Sequence, residues 1–107
     1  MTRPVLAGLA VLAVLGHQAW AADASVERGR AFVERHCARC HAVGPTGDSP
    51  MAEAPRLRDL HRRYPVEQLA EALAEGILTG HPDMPQFRLE PDEIEDVIGY
   101  LKSLERS

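Results

Sequence analysis

Aromatic residues are scarce in this 107-residue sequence: 5% in all, with one Trp, two Tyr and two Phe. So few large rings leave a small chain short of core volume, because aromatics supply much of the buried apolar area. Cysteine is scarcer, with only two, which excludes a scaffold stapled by several disulfides. Basic residues are in the minority: 12 Lys and Arg face 16 Asp and Glu, for a net charge of −4. That balance argues against nucleic acid as a partner, since phosphate binding calls for clustered positive charge. No apolar run comfortably fills a ~20-residue membrane span. The length leaves room for one small domain and excludes a large enzyme, a multidomain protein or a polytopic membrane protein.

The longest apolar stretch, Val5 to Leu15, is broken only by Gly8; Arg3 precedes it and Ala19-Trp20-Ala21 follows it. A basic start, a short apolar centre and small residues two apart form the layout of a secretory signal peptide. The expected cut follows Ala21, so residues 1–21 are a leader and residues 22–107 the working domain. His17 and Gln18 interrupt the far end of the run, which favours cleavage over retention as a membrane anchor. Neither cysteine lies near the cut, so a lipid anchor there is not expected. Export places the domain in the periplasm, an oxidising compartment. Without the leader the balance is 11 basic against 16 acidic residues. A domain of this size has a marginal core and often relies on disulfides, a metal or a cofactor.

Apolar spacing predicts three helices and no strand, hence an all-α fold. The first is expected over about Ser25–Cys40, with Ser25 as its cap and Val26, Gly29, Phe32, Val33 and Cys37 on one stripe. The second is expected to start at Tyr64-Pro65, with Pro65 at the first helical position. Val66, Leu69, Ala70, Leu73 and Ile77 form its face, and Gly80 suits its exit. The third opens at Glu90-Pro91-Asp92-Glu93, acidic where the helix dipole is positive, and ends near Lys102 and Arg106. Ile94, Val97, Ile98, Leu101 and Leu104 make its apolar face. Two loops rich in Pro and Gly, residues 42–56 and 80–91, separate these helices, and such punctuation opposes regular structure. A short helical turn is expected near Leu57–Arg63. Loop 42–56 is long for so small a domain, which points to function.

Cys37-Ala38-Arg39-Cys40-His41 is a C-x-x-C-H sequence, the attachment signature of a c-type haem. Two thiols three residues apart on one helical turn reach the two vinyl groups of one haem. His41, the next residue, then lies under the iron and offers an imidazole nitrogen. A thioredoxin-like redox pair would need a βαβ setting and has no use for His41. A zinc site would need two further ligands at structural spacing, and there is no second Cys pair. A plain disulfide would leave the thin core unexplained.

An iron held by one His has a sixth position to fill. Beyond the leader the sequence has two methionines, Met51 and Met84. Met84 sits in His81-Pro82-Asp83-Met84-Pro85-Gln86-Phe87, where the prolines stiffen the loop on both sides. Such a loop holds a thioether with little entropy left to lose, so Met84 is the expected axial ligand, a choice that favours electron transfer and raises the potential. His81, three residues earlier, competes. Met51 is the weaker choice, ten residues after His41 in the loop expected on the proximal side. His36 and His61 read as solvent-facing or capping residues.

With these residues in place, the chain resembles class I c-type cytochromes, small monohaem bacterial members included. The resemblance runs from Gly29, eight residues before Cys37, to Val97-Ile98-Gly99-Tyr100-Leu101-Lys102 near the end. It implies three main helices wrapped around one covalently bound haem, with the first and last crossing closely at Gly29. The family carries an aromatic four residues before the first Cys; here that position is Val33, and Phe32 stands one earlier. Ala54-Pro55-Arg56-Leu57 resembles the segment whose proline carbonyl holds the haem-ligating imidazole, which would give that role to Pro55 rather than Pro45. Met84-Pro85 matches the family's distal loop.

The implied function is electron transfer in the periplasm between redox proteins of a respiratory or dehydrogenase chain, through haem c held by Cys37 and Cys40 with His41 and Met84 on the iron. The protein would act as a free carrier or as a subunit of a redox complex. The alternative is a ligand-binding or sensing haem protein with an open or labile sixth site. An enzyme is not expected, because filled axial sites leave no room for substrate and no distal acid–base group is evident. Charge is uneven: Arg28, Arg30, Arg35 and Arg39 surround the first helix, Arg56, Arg58, Arg62 and Arg63 follow the first loop, and Asp92, Glu93, Glu95 and Asp96 open the last helix. These are solvated faces or a field that steers an acidic partner. Arg56 and Tyr64 are candidates to meet a haem propionate.

Overall fold

A computed structural model describes residues 3–76 and 84–106, with side-chain surroundings from residue 20 onward. The elements run α1 (Arg3–His36), a 3-10 helix (Leu57–Arg62), a 3-10 turn (Val66–Gln68), α2 (Leu69–Glu75) and α3 (Pro91–Leu104). No strand occurs among the described residues, so the fold is all-α.

The first helix departs from expectation at both ends. It does not begin at Ser25 but runs unbroken from Arg3, and it stops at His36, before the cysteines. Ser25 therefore caps nothing; its hydroxyl donates to Asp96 Oδ1 of α3 at 2.6 Å. At the other end Ala38 N–H reaches five residues back to Val33 O, 3.1 Å away. Val33 O also accepts the Cys37 N–H at 2.8 Å, so two donors share one carbonyl, and the chain turns off the helix axis there. Residues 37–40 are accordingly a turn.

The second helix is shorter than its apolar pattern suggests. It opens as the 3-10 turn at Val66–Gln68 and passes into α2; Pro65 is not its first helical residue but the extended cap before it, with ψ 129°. It closes at Gly76, whose φ of 99° is a conformation that side-chain-bearing residues avoid. Ile77 and Gly80, placed by sequence on this helix and its exit, lie outside the described residues. The short turn near Leu57–Arg63 is present as a 3-10 helix that buries Leu57 and Leu60.

Helix α3 forms as its pattern dictates. Pro91 opens it with its φ already helical, and the Glu93 carboxylate accepts the Glu90 N–H at 3.0 Å, one half of a capping box. Its inner face buries Ile94, Val97, Tyr100, Leu101 and Leu104. These residues meet Val33 of α1, Leu57, Leu60 and Val66 of the 3-10 segments, Leu73 of α2 and Leu89. Val33, which holds the family's aromatic position, is 1% exposed, while Phe32 is half-buried.

The main helix pairing is α1 against α3. It is fixed at one point by Gly29, where an added Cβ would lie 2.0 Å from Asp96 O. Beside that contact Arg28 Nε donates to Asp96 Oδ2 at 3.0 Å. The hydrogen bond from Arg28 is the largest influence on the Asp96 carboxyl; burial pushes the other way, and the Ser25 hydrogen bond and the Arg28 charge help to leave it below the usual carboxylate range. A depressed folded-state pKa means stability that is present above the unfolded pKa and lost as pH falls through the folded one. Asp96→Asn is therefore expected to be less stable than the parent at pH 7. The difference should shrink as pH falls below about 4, where the unfolded carboxyl takes up its proton. Melting curves at pH 7 and pH 3 check this; an equal deficit at both would refute it.

Candidate haem-attachment site

The turn after α1 presents the motif. Cys40 N–H and His41 N–H both donate to Cys37 O, at 3.2 and 2.9 Å, which stacks the two cysteines and the histidine into one tight turn. Cys37 and Cys40 are free thiols, and both are half-buried. Burial pushes the Cys37 thiol up to about 11. That is the opposite of a reactive redox pair, whose attacking thiolate needs a depressed pKa. Among the described residues no three His, Cys, Asp or Glu side chains converge as a bare-metal site.

His41 and Pro55 are brought together: His41 Nδ1 lies 2.6 Å from Pro55 O. A carbonyl only accepts, so Nδ1 carries a proton, and in the neutral ring Nε2 then keeps its lone pair. This is the tautomer a metal-ligating imidazole needs, with its other nitrogen bonded to a carbonyl. Loop 42–56 makes the geometry. Ala42 N–H donates to Ser49 Oγ at 2.9 Å, Leu57 N–H donates to Ala42 O at 3.0 Å, and Met51 N–H donates to Cys40 O at 3.1 Å. The loop therefore leaves the motif and returns to it, carrying Pro55 to the back of His41.

Met84 is half-buried and opens the segment that leads into α3. That segment is tied to α2 by Leu89 N–H donating to Leu73 O at 2.9 Å and by Arg88 Nη2 donating to Glu75 O at 3.2 Å. It is tied to α1 by Phe87, edge-on to His36 with centroids 6.1 Å apart, while His36 itself lies tilted against Phe32 at 4.5 Å. His81 lies outside the described residues.

The donor set fits haem c. Two unpaired thiols sit one turn apart beside an imidazole with a free Nε2. Around the buried core, Cys37, Val43, Tyr64, Leu69, Ala70 and Phe87 remain only partly buried, apolar surface that a flat macrocycle suits.

Several contacts escaped the sequence reading. The Tyr100 hydroxyl, on the buried ring of α3, donates to Val43 O at 2.5 Å, and Arg58 bonds to Gly44 O and Gly47 O. His61 is not solvent-facing at Nδ1: that nitrogen is buried without a hydrogen-bond partner. Arg56, a candidate for a propionate, has its guanidinium 2.7 Å from Asp48. None of these pairings has a local sequence signal.

Comparison with known proteins gives the family. The cytochrome c family profile matches residues 26–105. Cytochrome c-552 of Bradyrhizobium diazoefficiens is 34% identical over 94 residues, covering 88% of this chain and 88% of the relative. A cytochrome c-553-like protein of Synechocystis is 31% identical over 87 residues, covering 81% of this chain and 76% of the relative. No solved structure matches significantly. The chain belongs to the cytochrome c family: an electron-transfer protein with haem c covalently bound at a C-x-x-C-H motif.

Proposed function

We propose that this protein is an exported, non-enzymatic carrier of single electrons, with His41 and Met84 as the axial ligands of its haem iron. The observation that carries this reading is the His41 Nδ1 to Pro55 O hydrogen bond at 2.6 Å, which selects the ligating tautomer and raises the basicity of the ring. When bound, haem c supplies a one-electron ferrous–ferric couple. Cys37 and Cys40 hold it by thioethers, formed as each S–H adds across a vinyl C=C. Met84 is carried by a segment anchored to both α1 and α2, so its thioether is presented from a fixed strap rather than a loose loop.

Export is supported by the leader-like pattern of residues 1–21 and by the family match, which starts at residue 26. Among the described residues no helix is long and apolar enough to cross a membrane. The working domain is residues 22–107, and the compartment is the periplasm. Its partners are redox proteins, met in small, short-lived complexes of the kind electron transfer uses. Arg35 and Arg39 are exposed on either side of Cys37, where they would favour an acidic partner surface.

The test is an absorption spectrum of the exported holoprotein in both oxidation states. Low-spin c-type bands, a weak near-infrared sulfur-to-ferric-iron band and resistance of the ferrous form to carbon monoxide are expected. Haem without the sulfur band, or ready carbon monoxide binding, would replace this reading with a sixth site that is open or held by His81, as a ligand sensor requires.

A further inference from the structure

Loop 42–56 departs from the haem-binding turn at His41 and comes back to it at Pro55. Its base is closed by Leu57 N–H to Ala42 O at 3.0 Å and Ala42 N–H to Ser49 Oγ at 2.9 Å. Its outer part is held by a side chain from beyond the loop. Arg58, three residues after Pro55, donates from Nη2 to Gly47 O at 2.7 Å and from Nη1 to Gly44 O at 3.4 Å. One guanidinium thus grips two carbonyls of the outgoing strand of the loop while its own backbone continues the returning strand. We infer that Arg58 is a positioning residue for the proximal histidine, locking loop 42–56 so that Pro55 O stays on His41 Nδ1.

Tyr100 fixes Val43 O and Ser49 fixes Ala42 N–H, both near the base. Between them, Gly44 and Gly47 are side-chain-free residues in a segment with Pro45 and Pro50, and their carbonyls are the points that Arg58 holds. The neighbouring Arg56–Asp48 pair, at 2.7 Å, joins the same two stretches and is exposed, as is the Arg58–Gly47 bond; the Arg58–Gly44 bond is the part-buried one. The planar donor fork of arginine spans two carbonyls at once, which a lysine ammonium on its flexible stem does less well. Hydrogen bonds to a charged donor are the stronger kind. Releasing them lets the Pro55 strand open locally, and an imidazole whose Nδ1–H bond is looser is a weaker donor to iron.

This rests on His41 being the ligand, and the wild-type protein tests that separately: its ring protons must show haem-shifted resonances in the NMR spectrum. Given that, the experiment compares wild type, Arg58→Gln, Arg58→Lys and Lys102→Gln as holoproteins. Lys102→Gln removes the same charge at the exposed pair with Glu67, away from the loop. In Arg58→Gln, solvent exchange of the His41 Nδ1 proton is expected to quicken about tenfold or more, and the reduction potential to rise. Arg58→Lys should fall between Arg58→Gln and wild type, and Lys102→Gln should match wild type in exchange. Unchanged exchange in Arg58→Gln would overturn the inference. So would an equal acceleration at the Leu101 amide in the core of α3, which would mark a global loss of stability, or an equal potential shift in Lys102→Gln, which would mark a pure charge effect.

Discussion

Replacing Met84 with Ala is expected to leave the haem attached, abolish the near-infrared sulfur band and lower the reduction potential. Attachment depends on Cys37 and Cys40, which lie in a turn built by backbone bonds to Cys37 O and Val33 O. The potential does depend on Met84, because a thioether favours ferrous iron and water or an empty site does not. Axial ligand identity commands a range of ~0.8 V, and the loss of the sulfur should take on the order of a tenth to a third of it. Carbon monoxide should then bind the ferrous form. Met51→Ala is the matched control. Met51 is half-buried as well, but its N–H is bonded to Cys40 O at 3.1 Å, which keeps it with the motif rather than opposite it. If Met84→Ala retains the sulfur band and potential, Met84 is not the ligand. If Met51→Ala loses them, the assignment moves to Met51.

The parts of this molecule that sequence reveals are those written in neighbouring residues. C-x-x-C-H is local, and its chemistry follows from spacing alone. Helix α3 is local too: its acidic start, Pro91 and its apolar repeat coincide, and no tertiary contact overrides them. The ends of α1 and α2 were harder to read. The apolar stripe of α1 continues to Cys37, yet the helix stops at His36, where Ala38 N–H shares Val33 O with Cys37 N–H. The apolar repeat of α2 runs past Glu75, yet Gly76 takes a φ of 99° and ends it. A period reports which face is apolar, not where hydrogen bonding stops. Tertiary partners outside the family pattern were not legible. Val43 and Tyr100 are 57 residues apart, and Ser25 and Asp96 are 71 apart. A buried tyrosine reads equally well as simple core, and a serine near the start of an apolar repeat reads as a cap. Arg58 looks like one of four similar arginines until the loop carbonyls are seen beside it.

The pairing of α1 with α3 leads to the second large effect, through two glycines that look alike in sequence. Both Gly29 and Gly99 lie inside helices, where Gly→Ala ordinarily stabilises by roughly 0.5–1 kcal/mol. At Gly99 a Cβ would meet nothing closer than Ser25 Oγ and Val26 Cγ2, both 4.0 Å away. Gly99→Ala should therefore be neutral or slightly stabilising. At Gly29 the Cβ would lie 2.0 Å from Asp96 O, 2.7 Å from Asp96 C and 2.8 Å from Tyr100 Cβ. These atoms belong to the α3 backbone and the root of a buried ring, so no side chain can swing aside; the helices must separate. Separation pulls Tyr100 from Val43 O, strains the Ser25 and Arg28 bonds to Asp96 and opens the Val33–Val97 core. Overpacking typically costs about 1–3 kcal/mol where neighbours can adjust, and here they cannot, so about 3 kcal/mol or more is expected. At about 4–8 °C per kcal/mol for a domain of this size, Gly29→Ala should lower the melting temperature of the holoprotein by roughly 12–24 °C. The covalent haem should stay on while the sulfur band fades at a lower temperature than in wild type, because the Met84 segment feeds directly into α3. Equal melting temperatures for Gly29→Ala and Gly99→Ala would show that the helices do not meet at Gly29.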